Sequence, residues 1–119
     1  MKLTVHHEQR NSYATCESPD EMIRSPQDML DLMAFAGEHG TNLLLLNERN
    51  FDPAFYDLTT GLAGEIAQKL SNYRVRLAVV GTFESVQSRK FREFMHESNK
   101  GDQLKFALDE SAALGWLVR

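Results

Sequence analysis

The chain has 119 residues, of which 42% are apolar and 25% are charged, values typical of one compact soluble domain. Seven glycines and three prolines are too few for a disordered or collagen-like chain, and no apolar run approaches the roughly 20 residues that a membrane span requires. The net charge of −4 argues against nucleic acid as a partner, because neutralising phosphates requires a basic surface.

The start of the chain, MKLTV, lacks the long apolar stretch and the small-residue cleavage site of a signal peptide, and the single cysteine, Cys16, cannot form an internal disulfide. These features predict a cytoplasmic protein. Positive charge is concentrated late, since residues 1–60 carry 4 Lys/Arg and 10 Asp/Glu, whereas residues 61–119 carry 9 and 7. The asymmetry fits either an unevenly charged solvated surface or a functional patch.

Two alternating stretches at residues 3–8 and 12–16 predict a β-hairpin with its turn at residues 9–11. Ser25-Pro26-Gln27-Asp28 then has the features of a helix start, with a serine cap, proline at the first position and an acid near the positive end of the helix dipole. The helix should end at Gly40. Its apolar residues cover more than one stripe, which predicts packing on two sides.

Apolar runs at residues 42–47 and 75–81 predict buried parallel strands, with a helix at residues 61–73 between them. A further helix at residues 88–99, a strand at residues 103–107 and a last helix capped by Asp109 complete the chain. The fold class is therefore α/β, a single domain over residues 1–119 with a mixed five-stranded sheet, about four helices and the order ββαβαβαβα. We expect Leu44, Leu46, Leu77, Val79 and Phe106 to be buried in it.

Three segments carry a resemblance to a known family: FYDLTTGLAGEI at residues 55–66, NYRVRLAVVG at residues 72–81 and ESNKG at residues 97–101. With these segments the chain resembles, over residues 20–110, a bacterial family numbered 4180 in the series of domains of unknown function. The family has no established activity, so the resemblance implies no functional residues.

The element order is also similar to that of the STAS fold of anti-sigma-factor antagonists, in which a Asp-Ser-Ser-Gly sequence opens a helix and the serine before the glycine is phosphorylated. The matching run is Thr59-Thr60-Gly61-Leu62, which would make Thr60 the phosphorylated position. The sequence departs from that pattern because Asp57 stands three residues before Thr60 instead of two, and because residues 48–56 are inserted after the strand. The resemblance therefore concerns the fold more than the function.

A candidate binding site follows from the rule that ligands of open α/β sheets bind outside the carboxyl ends of the strands. The loops after the strands at residues 42–47 and 75–81 should share one edge, and they carry hydroxyl groups, two cations and two helix starts. The candidate binding residues are Thr59, Thr60, Ser85, Ser88, Arg89 and Lys90.

Each candidate also has a structural interpretation. Thr60 is a suitable helix cap whether or not it is phosphorylated. Arg89 and Lys90 lie in a first helical turn, where the dipole disfavours cations, so they either hold an anion or an acidic partner, or Arg89 merely pairs with Glu93. We expect His6, His7 and His96 to be surface residues and Cys16 to be a small buried residue, and we predict no metal site, cofactor or catalytic residue.

Together these features predict a regulatory protein-interaction module of STAS-like type, with an acidic protein partner and no membrane association. The alternative is a domain that binds a small molecule or anion, with weak enzymatic activity left open, and a homo-oligomer with a purely structural role is a third hypothesis. A partly apolar pocket at the predicted edge would favour the ligand, and a flat surface with exposed Phe or Leu would favour the partner.

Overall fold

Five β-strands form one mixed sheet whose spatial order follows the chain. The computed structural model describes residues 2–7, 11–16, 18 and 20–119. The strands are β1 (Leu3–His7), β2 (Ser12–Cys16), β3 (Leu43–Asn47), β4 (Arg76–Val80) and β5 (Leu104–Ala107). β1 and β2 are antiparallel and all other neighbours are parallel, which confirms the predicted mixed sheet. Residues 9 and 10 of the predicted turn between β1 and β2 lie outside the described residues.

Four α-helices accompany the sheet and begin close to their predicted positions. They are α1 (Pro26–Glu38), α2 (Leu62–Tyr73), α3 (Arg89–Asn99) and α4 (Glu110–Leu117). The side chains of Ser25, Ser88 and Asp109 each accept a hydrogen bond from a first-turn backbone N–H, as N-caps do. After α1 the chain turns at Gly40, whose φ of +81° is a conformation that favours glycine. Within the described ranges, no helix has the length and apolarity needed to cross a membrane.

The helices lie in two layers. Three of them connect neighbouring parallel strands, and crossovers of one hand place such helices on the same face of a sheet. Accordingly, α1, α2 and α3 pack on the face formed by alternate strand residues, including Leu44, Leu46, Leu77, Val79 and Phe106. All five are at most 5% exposed, as predicted. α4 covers part of the opposite face.

Helix α1 differs from its prediction. We expected packing on two sides, but its buried residues are Met29, Leu32, Met33 and Ala36, which form one stripe at helical spacing. Phe35 is 37% exposed and stacks on His39, with ring centroids 4.3 Å apart. The prediction of two packed sides is therefore wrong, because the side of α1 that carries Phe35 is not covered by the part of the chain that the structure describes.

The segment between β3 and α2, which the sequence marks only as an insertion, forms three short 3₁₀ helices at Glu48–Asn50, Pro53–Tyr56 and Leu58–Thr60. Phe51 and Phe55 enter the core from this segment. The fully buried Asn50 donates its amide hydrogens to the carbonyls of Ser18 and Glu21 and accepts from the Asn47 N–H. Its hydrogen bonds fix the segment against the chain that precedes α1.

Two polar side chains complete the backbone hydrogen bonding at one side of the sheet. Asn99 pairs with edge strand β5, accepting from the Phe106 N–H at 2.8 Å and donating to the Phe106 carbonyl at 3.2 Å. Arg76 donates to the carbonyls of Trp116 and Leu117 at the end of α4, at 2.8 and 3.0 Å. Both satisfy backbone groups that secondary structure leaves without partners.

Candidate functional site

A groove of about 570 Å³ lies where β3 and β4 end. These strands are parallel neighbours with Asn47 opposite Val80, so the loops that follow them share one edge, as predicted. The groove has apolar lining residues at Met22, Phe51, Pro53, Tyr56 and Val86. Its polar lining residues are Asp20, Glu48, Arg49, Ser85 and Gln87.

Glu48 connects the two loops. It is the first residue after β3, and its carboxylate accepts hydrogen bonds from the Phe83 N–H at 2.9 Å and from the Ser85 hydroxyl at 3.2 Å. Its side chain lies so close to Gly81 that a Cβ at that position would overlap it. Phe83 adopts a φ of 56°, uncommon for a bulky residue, while its ring is buried against Phe106. The loop after β4 is thus shaped around the Glu48 carboxylate.

Tyr56 forms another part of the groove. Its hydroxyl donates to the Glu48 carbonyl oxygen at 2.6 Å, and its ring packs edge-on against Phe91 with centroids 5.3 Å apart. Burial, followed by the nearby Glu48 carboxylate, raises the pKa of Tyr56 well above its usual value. The hydroxyl therefore remains protonated and is used as a donor within the protein.

The charges around the groove are two carboxylates, on Asp20 and Glu48, and the guanidinium of Arg49. Glu48 is only partly exposed, and none of the ion pairs between described residues includes it. Its carboxylate thus has hydrogen-bond donors but no paired cation.

Of the six candidate binding residues, Ser85 alone lines the groove. The Ser88 hydroxyl accepts from the Phe91 N–H as the cap of α3. Arg89 forms an ion pair with Glu93 at 3.4 Å, which agrees with the structural interpretation of this residue, and its side chain is 93% exposed. Lys90 is exposed in the first turn of α3.

Thr59 and Thr60 form hydrogen bonds within their own turn. The Thr59 hydroxyl donates to Asp57 Oδ1 at 2.7 Å, and this bond, together with one from the Thr59 N–H, lowers the pKa of Asp57 below its usual value. The Thr60 hydroxyl donates to the Ala54 carbonyl at 2.6 Å and accepts from the Leu62 N–H at 3.3 Å. The N-cap of α2 is Gly61, so Thr60 lies one residue before the cap.

The sequence did not single out Glu48, Arg49 or Tyr56 as site residues. The available signal was position, because residues directly after a parallel strand lie at the edge where ligands bind. The remaining chemical groups are used locally: His6 stacks on Tyr13, His39 Nδ1 lies 2.9 Å from the Phe35 carbonyl, and Cys16 is half-buried. Over the described ranges, no three His, Cys, Asp or Glu side chains are grouped so as to hold a metal ion.

Comparison with known proteins identifies a family but no activity. A family model described as a domain of unknown function (DUF4180) matches residues 8–117. No curated protein matches the chain.

Proposed function

The chain belongs to the DUF4180 family of unknown function, and because the family supplies no activity, we propose from the geometry of the groove that the protein binds a small organic molecule there. This function develops the small-molecule alternative from the sequence. The observation that carries it is the hydrogen bonding of Glu48 to the loop after β4, which holds the loops after β3 and β4 together as the two walls of the groove.

The shape and lining of the groove support this function. Its volume of about 570 Å³ falls within the range of small-molecule sites, which are mostly apolar with a few fixed polar groups. Tyr56 supplies aromatic surface and Met22 and Pro53 supply further apolar surface, while Glu48 and Ser85 supply polar groups. The position at the carboxyl ends of two parallel strands is the one that α/β sheets commonly use for ligands.

The test fills the groove without altering the core. Ser85 is exposed and lines the groove, so Ser85→Trp should obstruct it, whereas Ser71→Trp places the same side chain on an exposed position of α2. Each protein is purified from its host, and bound small molecules are identified by mass spectrometry. We expect the same compound with wild type and Ser71→Trp, and its loss with Ser85→Trp. Equal recovery from all three proteins, or from none, would contradict the proposal.

A second candidate is the regulatory protein-interaction module of STAS-like type predicted from the sequence. The observation in its favour is Leu108, which directly follows β5 and is 75% exposed. The Gly81 N–H donates to the Ala107 carbonyl, so Leu108 lies beside the end of β4 at the predicted edge. On this proposal Thr59, Thr60, Ser85, Ser88, Arg89 and Lys90 contact an acidic partner or a small anionic ligand, with Thr60 as the site of phosphorylation.

We propose a bacterial, cytoplasmic protein that needs no cofactor and binds neither nucleic acid nor membrane. Homo-oligomer formation and weak enzymatic activity stay predictions to be tested by sedimentation and by assay of whatever compound is recovered.

A further inference from the structure

The charge on Glu48 is not matched within the described part of the protein. The Phe83 N–H and the Ser85 hydroxyl orient the carboxylate but leave its negative charge in place. Because the side chain is partly buried beside apolar groups, the charge is less well hydrated than one on an open surface. Each carboxylate oxygen accepts one of these hydrogen bonds and keeps a further lone pair, so a cation that entered the groove would relieve this cost through a charge-assisted hydrogen bond.

The rest of the groove fits an apolar body attached to such a cation. The hydroxyl of Tyr56 is occupied by the Glu48 carbonyl, so Tyr56 offers its ring as contact surface. Met22 and Pro53, which are both exposed, add further apolar surface. Aromatic rings also attract organic cations through their negative faces.

The surroundings of the groove favour positive over negative ligands. Asp20 and Met22 also line a second groove of about 510 Å³, where one cation, Arg24, is outnumbered by the further carboxylates Glu21, Asp28 and Asp31. Carboxylates along adjoining grooves raise the local concentration of cations and repel anions. Arg49 is the opposing charge on the rim, and none of the ion pairs between described residues includes it.

We propose that the ligand of this groove is an organic amine, bound with its ammonium group at the Glu48 carboxylate and its apolar or aromatic body against Tyr56 and Met22. The inference rests on the proposed function and narrows it to one chemical class. It also gives the two charged residues that follow β3 opposite effects, because Glu48 attracts the ammonium group and Arg49 repels it.

The test uses three probes with the same phenyl body and two-carbon chain but different charge: phenethylamine, phenethyl alcohol and hydrocinnamate. Each is titrated into the full-length protein at neutral pH, and binding is followed by amide chemical shifts of the groove residues. We expect the amine to bind about tenfold more tightly than the alcohol, the usual effect of one hydrogen bond to a charged group. Hydrocinnamate should bind more weakly than the alcohol.

Two variants test whether the charges of Glu48 and Arg49 have opposite effects on amine binding. Glu48→Gln keeps an oxygen that can accept from the Phe83 N–H but removes the charge, so it should weaken amine binding about tenfold and leave alcohol binding unchanged. Arg49→Gln should strengthen amine binding about twofold. Glu38→Gln, at the exposed end of α1, is the matched control and should change neither. Circular dichroism and melting curves establish that each variant is folded.

The outcomes separate the inference from the proposed function. Equal binding of amine and alcohol, with shifts confined to the groove, would overturn the amine and leave the small-molecule site in place. Preference for hydrocinnamate, or affinity changes of reversed sign in the Glu48 and Arg49 variants, would also overturn the amine and indicate an anionic ligand. No shift in any groove residue with any probe would contradict both. If Glu48→Gln is unfolded, a failure of Arg49→Gln to strengthen amine binding overturns the inference by itself.

Discussion

Gly81 follows β4 at the point where the Glu48 side chain passes over the backbone. A Cβ at Gly81 would overlap both the Cβ and the carboxylate of Glu48. Gly81 does not have a positive φ, so what the position requires is space and not unusual backbone freedom. The absence of one methyl group therefore permits the contact that joins the two walls of the groove.

We expect Gly81→Ala to lower the free energy of unfolding by about 1–3 kcal/mol, the usual cost of forcing an extra methyl group into a packed contact. Glu48 would move, so the amide signals of Phe83 and Ser85 should shift as well. The control is Gly64→Ala in α2, where nothing lies within 4 Å and alanine should stabilise the helix by about 0.5–1 kcal/mol. Thermal unfolding of both variants measures the difference, and a Gly81→Ala protein as stable as wild type would contradict the described contact.

Among the elements, α4 depends on a residue from a strand. Its eight residues are too few to be stable in isolation, and its last carbonyls receive hydrogen bonds from Arg76 of β4. The Arg76 guanidinium also lies over the Trp116 ring, 4.3 Å from its centroid. Arg76 therefore acts as a C-terminal cap that the sheet supplies.

Arg76→Ala should destabilise the protein by about 1–3 kcal/mol, because it removes charge-assisted hydrogen bonds to three backbone carbonyls, including that of Asp102, and a cation–π contact. Trp116 is the only tryptophan, so its fluorescence reports the change directly. Arg74→Ala, which alters an exposed arginine two residues earlier, should have little effect on stability or fluorescence. Identical unfolding curves for the two variants would show that Arg76 does not cap α4.

Helix α3 begins with two cations where its dipole favours anions. Reversing these two charges tests the predicted partner site, because it should affect stability and binding in different ways. Lys90→Glu should stabilise the helix by about 0.3–1 kcal/mol, whereas Arg89→Glu gains little because Glu93 would then face a like charge. The double variant should therefore be at least as stable as wild type yet recover less acidic partner. Melting temperature and partner recovery are measured beside a control double variant, Lys69→Glu in α2 with Arg74→Glu directly after it. Unchanged recovery would remove Arg89 and Lys90 from the proposed site.

Across the whole molecule, the sequence predicts the features that depend on a periodic pattern or on neighbouring residues. Runs such as residues 42–47 have the composition of buried strands, and Ser25 marks a helix start by its immediate neighbours. The groove depends on Glu48 and Phe83, which are 35 residues apart and follow no period. The exposure of Phe35 could not be predicted from the sequence either, because composition does not show how many layers of structure cover a helix.

The assignment of β4 as a buried central strand can be tested through the core. Val79 is fully buried in β4, so Val79→Asp would place an unpaired charge in the centre of the sheet, and we expect the protein to unfold. Leu108→Asp makes the same chemical change at a position that is 75% exposed and should leave the fold intact. Circular dichroism distinguishes the two results, and cooperative melting of a soluble Val79→Asp protein would refute the strand assignment.

The pairing of Asn99 with Phe106 has a consequence for how copies of this chain can assemble. Its amide group occupies the outward N–H and carbonyl of Phe106 in β5, so an incoming strand finds no partner at the centre of that edge. If two copies pair through their sheets, we expect them to do so at the opposite edge strand, β1. A protein with one open edge strand can pair once with a second copy but cannot extend into a filament, because growth of a fibril requires two open edges on each copy.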